Sequence, residues 1–213
     1  MIFNKTSYYV PSKTKNNTNV KDYSNILNNF TIIVDFKSEE LIENESTIIS
    51  KEGTPMGLFL EKPNIVKFVW YTNKNTYNDV SFNVIDITEK INVKVVVSDL
   101  IEIYCNGILM SKKEKGNIVN YIDKKLRIGA LNPFNGEDEK WFRGEINEIV
   151  VYDTIVDYTE KNMYINLNFK ENSKFKTFDL SGNGNHGILI EDPKYVNNSI
   201  NKFNNVAPKQ KII

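Results

Sequence analysis

The run Asp-Leu-Ser-Gly-Asn-Gly-Asn-His-Gly at 179–187 dictates its local backbone more strongly than any other segment of the chain. Its glycines supply backbone conformations with positive φ, and its asparagines tolerate them. Alternating apolar stretches flank the run, 164–169 before it and 188–190 after it. The run therefore predicts a tight, polar loop between two β-strands.

Alternation of apolar and polar residues with a period of two recurs along the rest of the chain. The stretches are 30–36, 47–50, 57–60, 65–71, 80–85, 93–97, 100–105, 126–128 and 146–152. Many short strands separated by turns are typical of a β-sandwich or jelly roll. Asn106 and Gly107 both accept positive φ and predict a type I′ hairpin turn. The apolar parity shifts after Ile146, so we expect a β-bulge at Asn147 or Glu148.

These segments resemble the LamG-like modules of the concanavalin A-like jelly-roll superfamily. The run at 179–187 resembles the signature that opens such modules, 103–107 resembles a strand that ends in Asn-Gly, and 142–153 resembles a later strand of the family. The resemblance implies an all-β fold, an antiparallel two-sheet β-sandwich. It specifies a fold better than an activity, because the superfamily contains lectins, adhesins, enzymes and spacers.

The order of these segments differs from that of the family, whose modules begin with the signature that comes last here. One explanation is circular permutation, in which 164–190 returns to complete a single sandwich over 1–190. The alternative is a truncated second module, which would expose Leu167, Phe169 and Ile188 at about 1.5–3 kcal/mol each. We expect the single permuted sandwich, followed by a polar strap or tail over 191–213.

Charge and cysteine content exclude several partners. Lys plus Arg and Asp plus Glu number 27 each, which removes the broad attraction that nucleic acid or an anionic membrane needs. The single cysteine, Cys105, excludes an intrachain disulfide and is expected as a small buried hydrophobe. No apolar run approaches membrane-spanning length, and the first residues lack the pattern of a signal peptide.

No catalytic constellation emerges, so we expect a chain that is not an enzyme. β-Glucanases of the superfamily carry two glutamates in a Glu-x-Asp-x-Glu strand, but here Glu145 and Glu148 have odd spacing and Asn147 replaces the aspartate. The only histidine, His186, is expected to bond backbone within its loop. Glycoside hydrolysis through Glu145 with Glu148 or Asp153 is the least favoured function.

Calcium is the one cofactor that the resemblance brings in, because members of the superfamily often bind it through loop oxygens. Asp179, Asn183 and Asn185 are spaced so that they can present oxygens inward, and they are the predicted metal ligands. Only one of them is charged. The alternative is a network of Asx turns that shapes the loop without a metal.

Carbohydrate recognition needs an exposed aromatic ring bordered by groups that bond sugar hydroxyls. Two places in the sequence have this composition. The predicted ligand-binding residues are Asn135, Trp141 and Phe142 in one place, and Trp70, Tyr71, Asn73 and Tyr77 in the other. Packing in the core is the alternative for each tryptophan.

We therefore expect a non-catalytic carbohydrate-binding or adhesion module that acts outside a cell, at a cell surface or on a virion. Without a leader, the chain would reach that place as a receptor-binding, fibre or decoration component of a phage-like particle. The expected partner is a cell-surface glycan or a protein of a larger assembly, and that assembly can be a homo-oligomer of this chain. We expect neither nucleic-acid binding nor membrane insertion. The alternative is a purely structural sandwich that docks onto a larger assembly.

Overall fold

A computed structural model describes residues 2–4, 7–10, 29–39, 41, 44–51, 56–73, 76–118, 126–131, 140–155, 162–169 and 176–190. The strands, in chain order, are β1 (Ile2–Asn4), β2 (Ser7–Val10), β3 (Phe30–Ser38), β4 (Glu45–Lys51), β5 (Gly57–Glu61), β6 (Ile65–Asn73), β7 (Thr76–Asn83), β8 (Ile91–Val97), β9 (Leu100–Cys105), β10 (Ile108–Glu114), β11 (Leu126–Ile128), β12 (Arg143–Tyr152), β13 (Met163–Leu167), β14 (Lys176–Thr177) and β15 (Gly187–Ile190). Among these described residues, no helix has the length and apolar character to cross a membrane.

The strands form two sheets in which neighbouring strands are antiparallel. The seven-stranded sheet has the order β1-β12-β3-β8-β9-β10, and β13 pairs with the same edge of β12 as β1 does. The eight-stranded sheet has the order β14-β15-β2-β11-β4-β5-β6-β7. The expected all-β, two-sheet β-sandwich is confirmed.

The core lies between the two sheets and follows the period of the strands. In β6 the side chains of Val66, Phe68 and Trp70 are buried in one cluster with residues of both sheets. Because side chains alternate across a strand, Lys67 and Tyr71 lie on the opposite, outer face of the eight-stranded sheet. This alternation fixes which side chains point away from the core between the two sheets.

Two local predictions are confirmed by the backbone. Asn106 and Gly107 have φ of 48° and 84°, and they join β9 to β10 as the expected hairpin. The register of β12 against β3 shifts between Ile146 and Glu148, which places the bulge at Asn147. Cys105 is less buried than expected, although its side chain packs against the core.

The segment that carries the glycine-rich run contributes strands to both sheets. β13 pairs with β12 in the seven-stranded sheet, whereas β15 pairs with β2 in the eight-stranded sheet. The predicted bounds of a single domain over 1–190 stay a prediction. The predicted strap at 191–213 lies outside the described residues.

Candidate functional site

The outer face of the eight-stranded sheet gathers aromatic and charged side chains from four adjacent strands. Residues that are partners in an antiparallel register point to the same side of a sheet. The pairings across β4, β5, β6 and β7 therefore place one set of side chains outward. We call this set the β4–β7 face, which comprises Glu45, Thr47, Phe59, Glu61, Lys67, Val69, Tyr71, Tyr77, Asp79 and Ser81.

A pair of tyrosines occupies the end of this face beside the β6–β7 hairpin. Tyr71 and Tyr77 are cross-strand partners, and their ring centroids lie 5.9 Å apart with the planes at 90°. Tyr71 packs against the buried side chains of Phe59 and Val69, which fixes its position. Tyr77 is 46% exposed, so part of its ring faces solvent. The edge-to-face contact holds that ring in one orientation.

A cluster of ion pairs lies on the same face. The ammonium nitrogen of Lys67 lies 2.6 Å from a carboxylate oxygen of Glu45 and 2.7 Å from one of Glu61. Glu45 also pairs with Lys140 at 2.6 Å. The side chain of Lys67 is almost fully buried, so these ion pairs are poorly screened by water. The cluster therefore presents fixed carboxylate oxygens at the surface.

The cluster sets the protonation of its members. Burial alone would raise the pKa of Glu45, but hydrogen bonds from Lys140 and Lys67 hold that pKa below its ordinary value. Burial alone would lower the pKa of Lys67, but hydrogen bonds to Glu45 and Glu61 raise it above its ordinary value. Burial raises the pKa of Tyr77, and the positive charge of Lys67 opposes that rise. At neutral pH Glu45 and Lys67 are therefore charged and the phenol of Tyr77 is neutral.

We expect the substitution Lys67→Met to lower the free energy of unfolding by about 2 kcal/mol at neutral pH, because it leaves Glu45 and Glu61 with less compensation. The lowered pKa of Glu45 contributes stability above the pKa of the unfolded state, and this contribution is lost as the pH falls through the folded-state pKa. Urea unfolding at pH values from neutral to acid should therefore show the difference between the two proteins shrinking toward acid pH.

The matched control is Lys37→Met, because Lys37 pairs with Glu145 at 3.3 Å on the other sheet with a half-exposed side chain. That pair should contribute at most about 0.5 kcal/mol. Equal losses in both variants, or a loss in Lys67→Met that does not change with pH, would contradict a structural role for the cluster.

Two predicted ligand residues are corrected by their burial. Trp70 is fully buried, stacks on Phe68 at 6.3 Å between centroids, and donates its indole N–H to the carbonyl of Lys115. Phe142 is also fully buried and meets Phe36 edge-on at 6.0 Å. Neither ring can stack on a ligand. Trp70 alternates in step with Val66 and Phe68, which point into the core, so the sequence pattern already indicated that Trp70 is buried.

The other predicted ligand residues have different positions. Trp141 is half-buried and directly follows Lys140, which binds the ion-pair cluster through Glu45. Asn73 ends β6, where it pairs with Thr76, and its side chain is not described. Asn135 lies outside the described residues. The structure thus brings Tyr71 and Tyr77 together and places Trp141 next in sequence to a member of the cluster.

The predicted metal ligands lie in one hydrogen-bonded network. The carboxylate of Asp179 accepts four hydrogen bonds, from the backbone N–H groups of Asn166, Ser181 and Asn185 and from the Ser181 hydroxyl, at 2.8–3.0 Å. The amide of Asn183 donates to the carbonyl of Met163 at 2.8 Å. These bonds tie the loop to β13 and have the geometry of an Asx-turn network.

These contacts do not test the predicted calcium site, which stays a prediction. The described residues contain no group of three or more His, Cys, Asp or Glu side chains arranged to hold a metal. The side-chain oxygen of Asn185 is buried without a hydrogen-bond partner among the described residues, so one candidate ligand atom remains. His186 accepts a hydrogen bond from the Asp179 N–H at 3.1 Å, which confirms the expected backbone-bonding histidine.

The glutamates of β12 form no isolated acid pair. The bulge at Asn147 brings Glu145 and Glu148 to one face, opposite Lys37 and Asp35 of β3. Glu145 pairs with Lys37. Glu145 and Lys37 form a cross-strand charge pair of the kind that stabilises sheets, whereas Glu148 lies opposite Asp35, a residue of like charge.

Sequence reasoning missed the ion-pair cluster. Lys67 stands between the apolar residues Val66 and Phe68 of β6, and this alternation indicated that it lies on the outer face. Its partners Glu45 and Glu61 come from neighbouring strands, and only the register of β4, β5 and β6 brings them to the same nitrogen.

No protein-family model and no curated protein matches the sequence. The fold is similar to that of a Bacteroides ovatus ATCC 8483 protein proposed to bind carbohydrate, with a TM-score of 0.58, 14% identity and 89% of this chain covered. It is also similar to the CBM40 domain of the Ruminococcus gnavus IT-sialidase, bound to α2,3-sialyllactose, with a TM-score of 0.50, 14% identity, and 62% of this chain and 79% of that chain covered.

The chain spans 58% of the length of the Bacteroides protein. It spans 44% of another similar structure, named HCR/D-Sa-GBL1/C, with a TM-score of 0.50 and 14% identity. At these identities the likeness establishes the fold, a β-sandwich that carbohydrate-binding domains also use.

Proposed function

We propose that this chain is a non-catalytic glycan-binding module whose ligand lies on the β4–β7 face. The observation that carries the proposal is the half-exposed ring of Tyr77, held edge-on by Tyr71, on the same face as the cluster formed by Lys67, Glu45 and Glu61. The ring offers a surface for the C–H face of a pyranose, and the carboxylate oxygens accept hydrogen bonds from its hydroxyl groups.

The structural likenesses support this proposal at the level of the fold. The Bacteroides protein is proposed to bind carbohydrate, and the Ruminococcus domain was solved with a sialylated sugar. The proposal extends that chemistry to this chain on the strength of its own side chains.

The ionisation of Glu45 argues against this residue as the general acid of a glycosidase. Glu45 and Glu61 both lie within 2.7 Å of the same nitrogen of Lys67, so the two carboxylates are close neighbours. A glycosidase needs one carboxyl group whose pKa is raised, so that it can protonate the leaving oxygen. The pKa of Glu45 is lowered instead, because Lys140 and Lys67 donate hydrogen bonds that outweigh its burial.

We also propose that the chain is a circularly permuted relative of LamG-like modules, with 1–190 as one domain. The pairing of β15 with β2 supports this, since the segment after the glycine-rich run lies beside an early strand. Action at a cell surface, or on a phage-like particle, stays a prediction.

We expect Tyr77→Ala to weaken glycan binding by about tenfold or more, because it removes the exposed part of the stacking surface. Tyr77→Phe keeps the ring and should retain most of the affinity. The measurement is a glycan array with the native protein and both variants, with the thermal unfolding of each variant recorded alongside.

The matched control is Tyr104→Ala, since Tyr104 lies on the outer face of the seven-stranded sheet beneath the ammonium of Lys94 at 4.2 Å. Its removal should leave glycan binding unchanged. Equal weakening by the Tyr104 and Tyr77 variants, or undiminished binding by folded Tyr77→Ala, would contradict the proposed face.

A structural role in an assembly is the second candidate function, and one observation favours it. Ile108, Leu109 and Met110 are exposed together at the start of β10, directly after the hairpin turn. Three consecutive exposed apolar residues are uncommon on a monomer without an interaction role. A glycan array without any binding by the native protein would shift the assignment to this candidate.

A further inference from the structure

A cleft of about 390 Å³ opens at the end of the sandwich, where the β5–β6 turn meets the segment after β7. Its volume lies in the range of about 300–1,000 Å³ typical of small-molecule sites. Its apolar lining consists of Leu41, Pro63 and Ile87. Ile87 is buried, and its carbonyl accepts a hydrogen bond from the Ser38 N–H, so this part of the lining is fixed to the seven-stranded sheet.

The polar lining of this cleft consists of Lys62, Asn64, Asp86 and Thr88. One oxygen of Asp86 accepts hydrogen bonds from the backbone N–H of Thr88 at 2.8 Å and from its hydroxyl at 2.6 Å. The other oxygen of Asp86 and the side-chain amide of Asn64 have no partner among the described residues. The Asx turn therefore orients a carboxylate whose second oxygen remains available to a ligand.

Charge decides what class of ligand this cleft suits. Among the described lining residues, Asp86 carries the negative charge and Lys62 carries the positive charge, so the lining is neutral overall. Hydrogen bonds from Thr88 lower the pKa of Asp86, which keeps it ionised at neutral pH. An ionic ligand would face one charge of its own sign, whereas a neutral polyol faces no such repulsion and can bond to the carboxylate of Asp86.

We propose that this cleft is a second ligand site, separate from the β4–β7 face, and that it binds a single neutral sugar unit. The free oxygen of Asp86 and the hydroxyl oxygen of Thr88 accept hydrogen bonds from ring hydroxyls. The amide of Asn64 donates a hydrogen bond. The aliphatic side chains of Leu41, Pro63 and Ile87 cover the C–H face of the ring.

The test is a titration of isotope-labelled protein with neutral methyl glycosides of glucose, galactose, mannose and N-acetylglucosamine, followed by amide NMR. We expect at least one of them to shift the signals of 62–64 and 86–88 with millimolar affinity. Asp86→Asn should weaken that binding by about tenfold, because an amide replaces an ionised acceptor. Thr88→Val should weaken it less, and Tyr77→Ala should leave it unchanged.

Shifts confined to the β4–β7 face would overturn the proposal while leaving the proposed function intact. An absence of shifts with every neutral glycoside would also overturn it. Equal binding by the native protein and folded Asp86→Asn would show that this cleft is not the site. Shifts at 62–64 and 86–88 that survive in Tyr77→Ala would support a separate site even if the β4–β7 face binds nothing.

Discussion

Gly144→Ala should lower the free energy of unfolding by about 4 kcal/mol. Gly144 lies in β12 with a φ of 144°, which residues with a side chain rarely adopt. A Cβ atom there would lie against the carbonyl oxygen of Lys37 and 2.7 Å from the Cα of Ser38, both backbone atoms of β3. Relief of that clash would separate β12 from β3 in the seven-stranded sheet. Urea unfolding at equilibrium measures the loss.

Gly107→Ala is the control, because it measures the cost of a positive φ at a position where the added Cβ atom causes no steric clash. Gly107 has a φ of 84°, and a Cβ atom there would meet nothing within 4 Å. Its substitution should cost about 1 kcal/mol, the backbone term alone. Similar losses in the two variants would show that β3 and β12 are not as tightly packed as their register implies.

Asp179→Ala should lower the free energy of unfolding by about 3–4 kcal/mol, because it removes the acceptor of four hydrogen bonds at a buried position. The backbone N–H groups of Asn166, Ser181 and Asn185 lose their acceptor together. The loop would then lose one of its attachments to β13, the bond between Asp179 and the Asn166 N–H, and β15 would lose part of its support against β2. Thermal and urea unfolding measure the effect.

The same variant discriminates the hydrogen-bonded network from the predicted calcium site. If direct hydrogen bonds are the role of Asp179, the stability difference between the native protein and Asp179→Ala should be the same with calcium and with a chelator. A difference that appears only in the presence of calcium would favour the metal, with Asn183 and Asn185 as the other ligands. Asn183→Ala should lose less than Asp179→Ala under either condition.

The fold was predictable because its strongest signals are local. Alternation with a period of two defines strands such as β6, and Asn106-Gly107 defines the hairpin between β9 and β10 by the φ values that both residues accept. The bulge at Asn147 followed from parity alone, since Ile146 and Ile149 can share the core only if one residue is extra. None of these inferences needed the pairing of distant strands.

The site was predictable only in part, because it depends on pairings between strands. Tyr71 and Tyr77 flank one short hairpin, so their proximity followed from sequence. The contacts of Lys67 with Glu45 and Glu61 require three strands in register, which composition does not reveal. Phe142 has the same parity as Gly144 and Ile146 of the following strand, so the alternation carried a local signal for its burial that sequence reasoning did not use.

The most direct test of the β4–β7 face is an amide and aromatic NMR map of the protein bound to its best glycan from the array. The account predicts that the changes centre on Tyr71 and Tyr77 and extend to Lys67 and Glu61. In Tyr77→Ala the same changes should require a glycan concentration about tenfold higher or more. Changes centred on Tyr104 and the outer face of the seven-stranded sheet, with the β4–β7 face unperturbed, would contradict it.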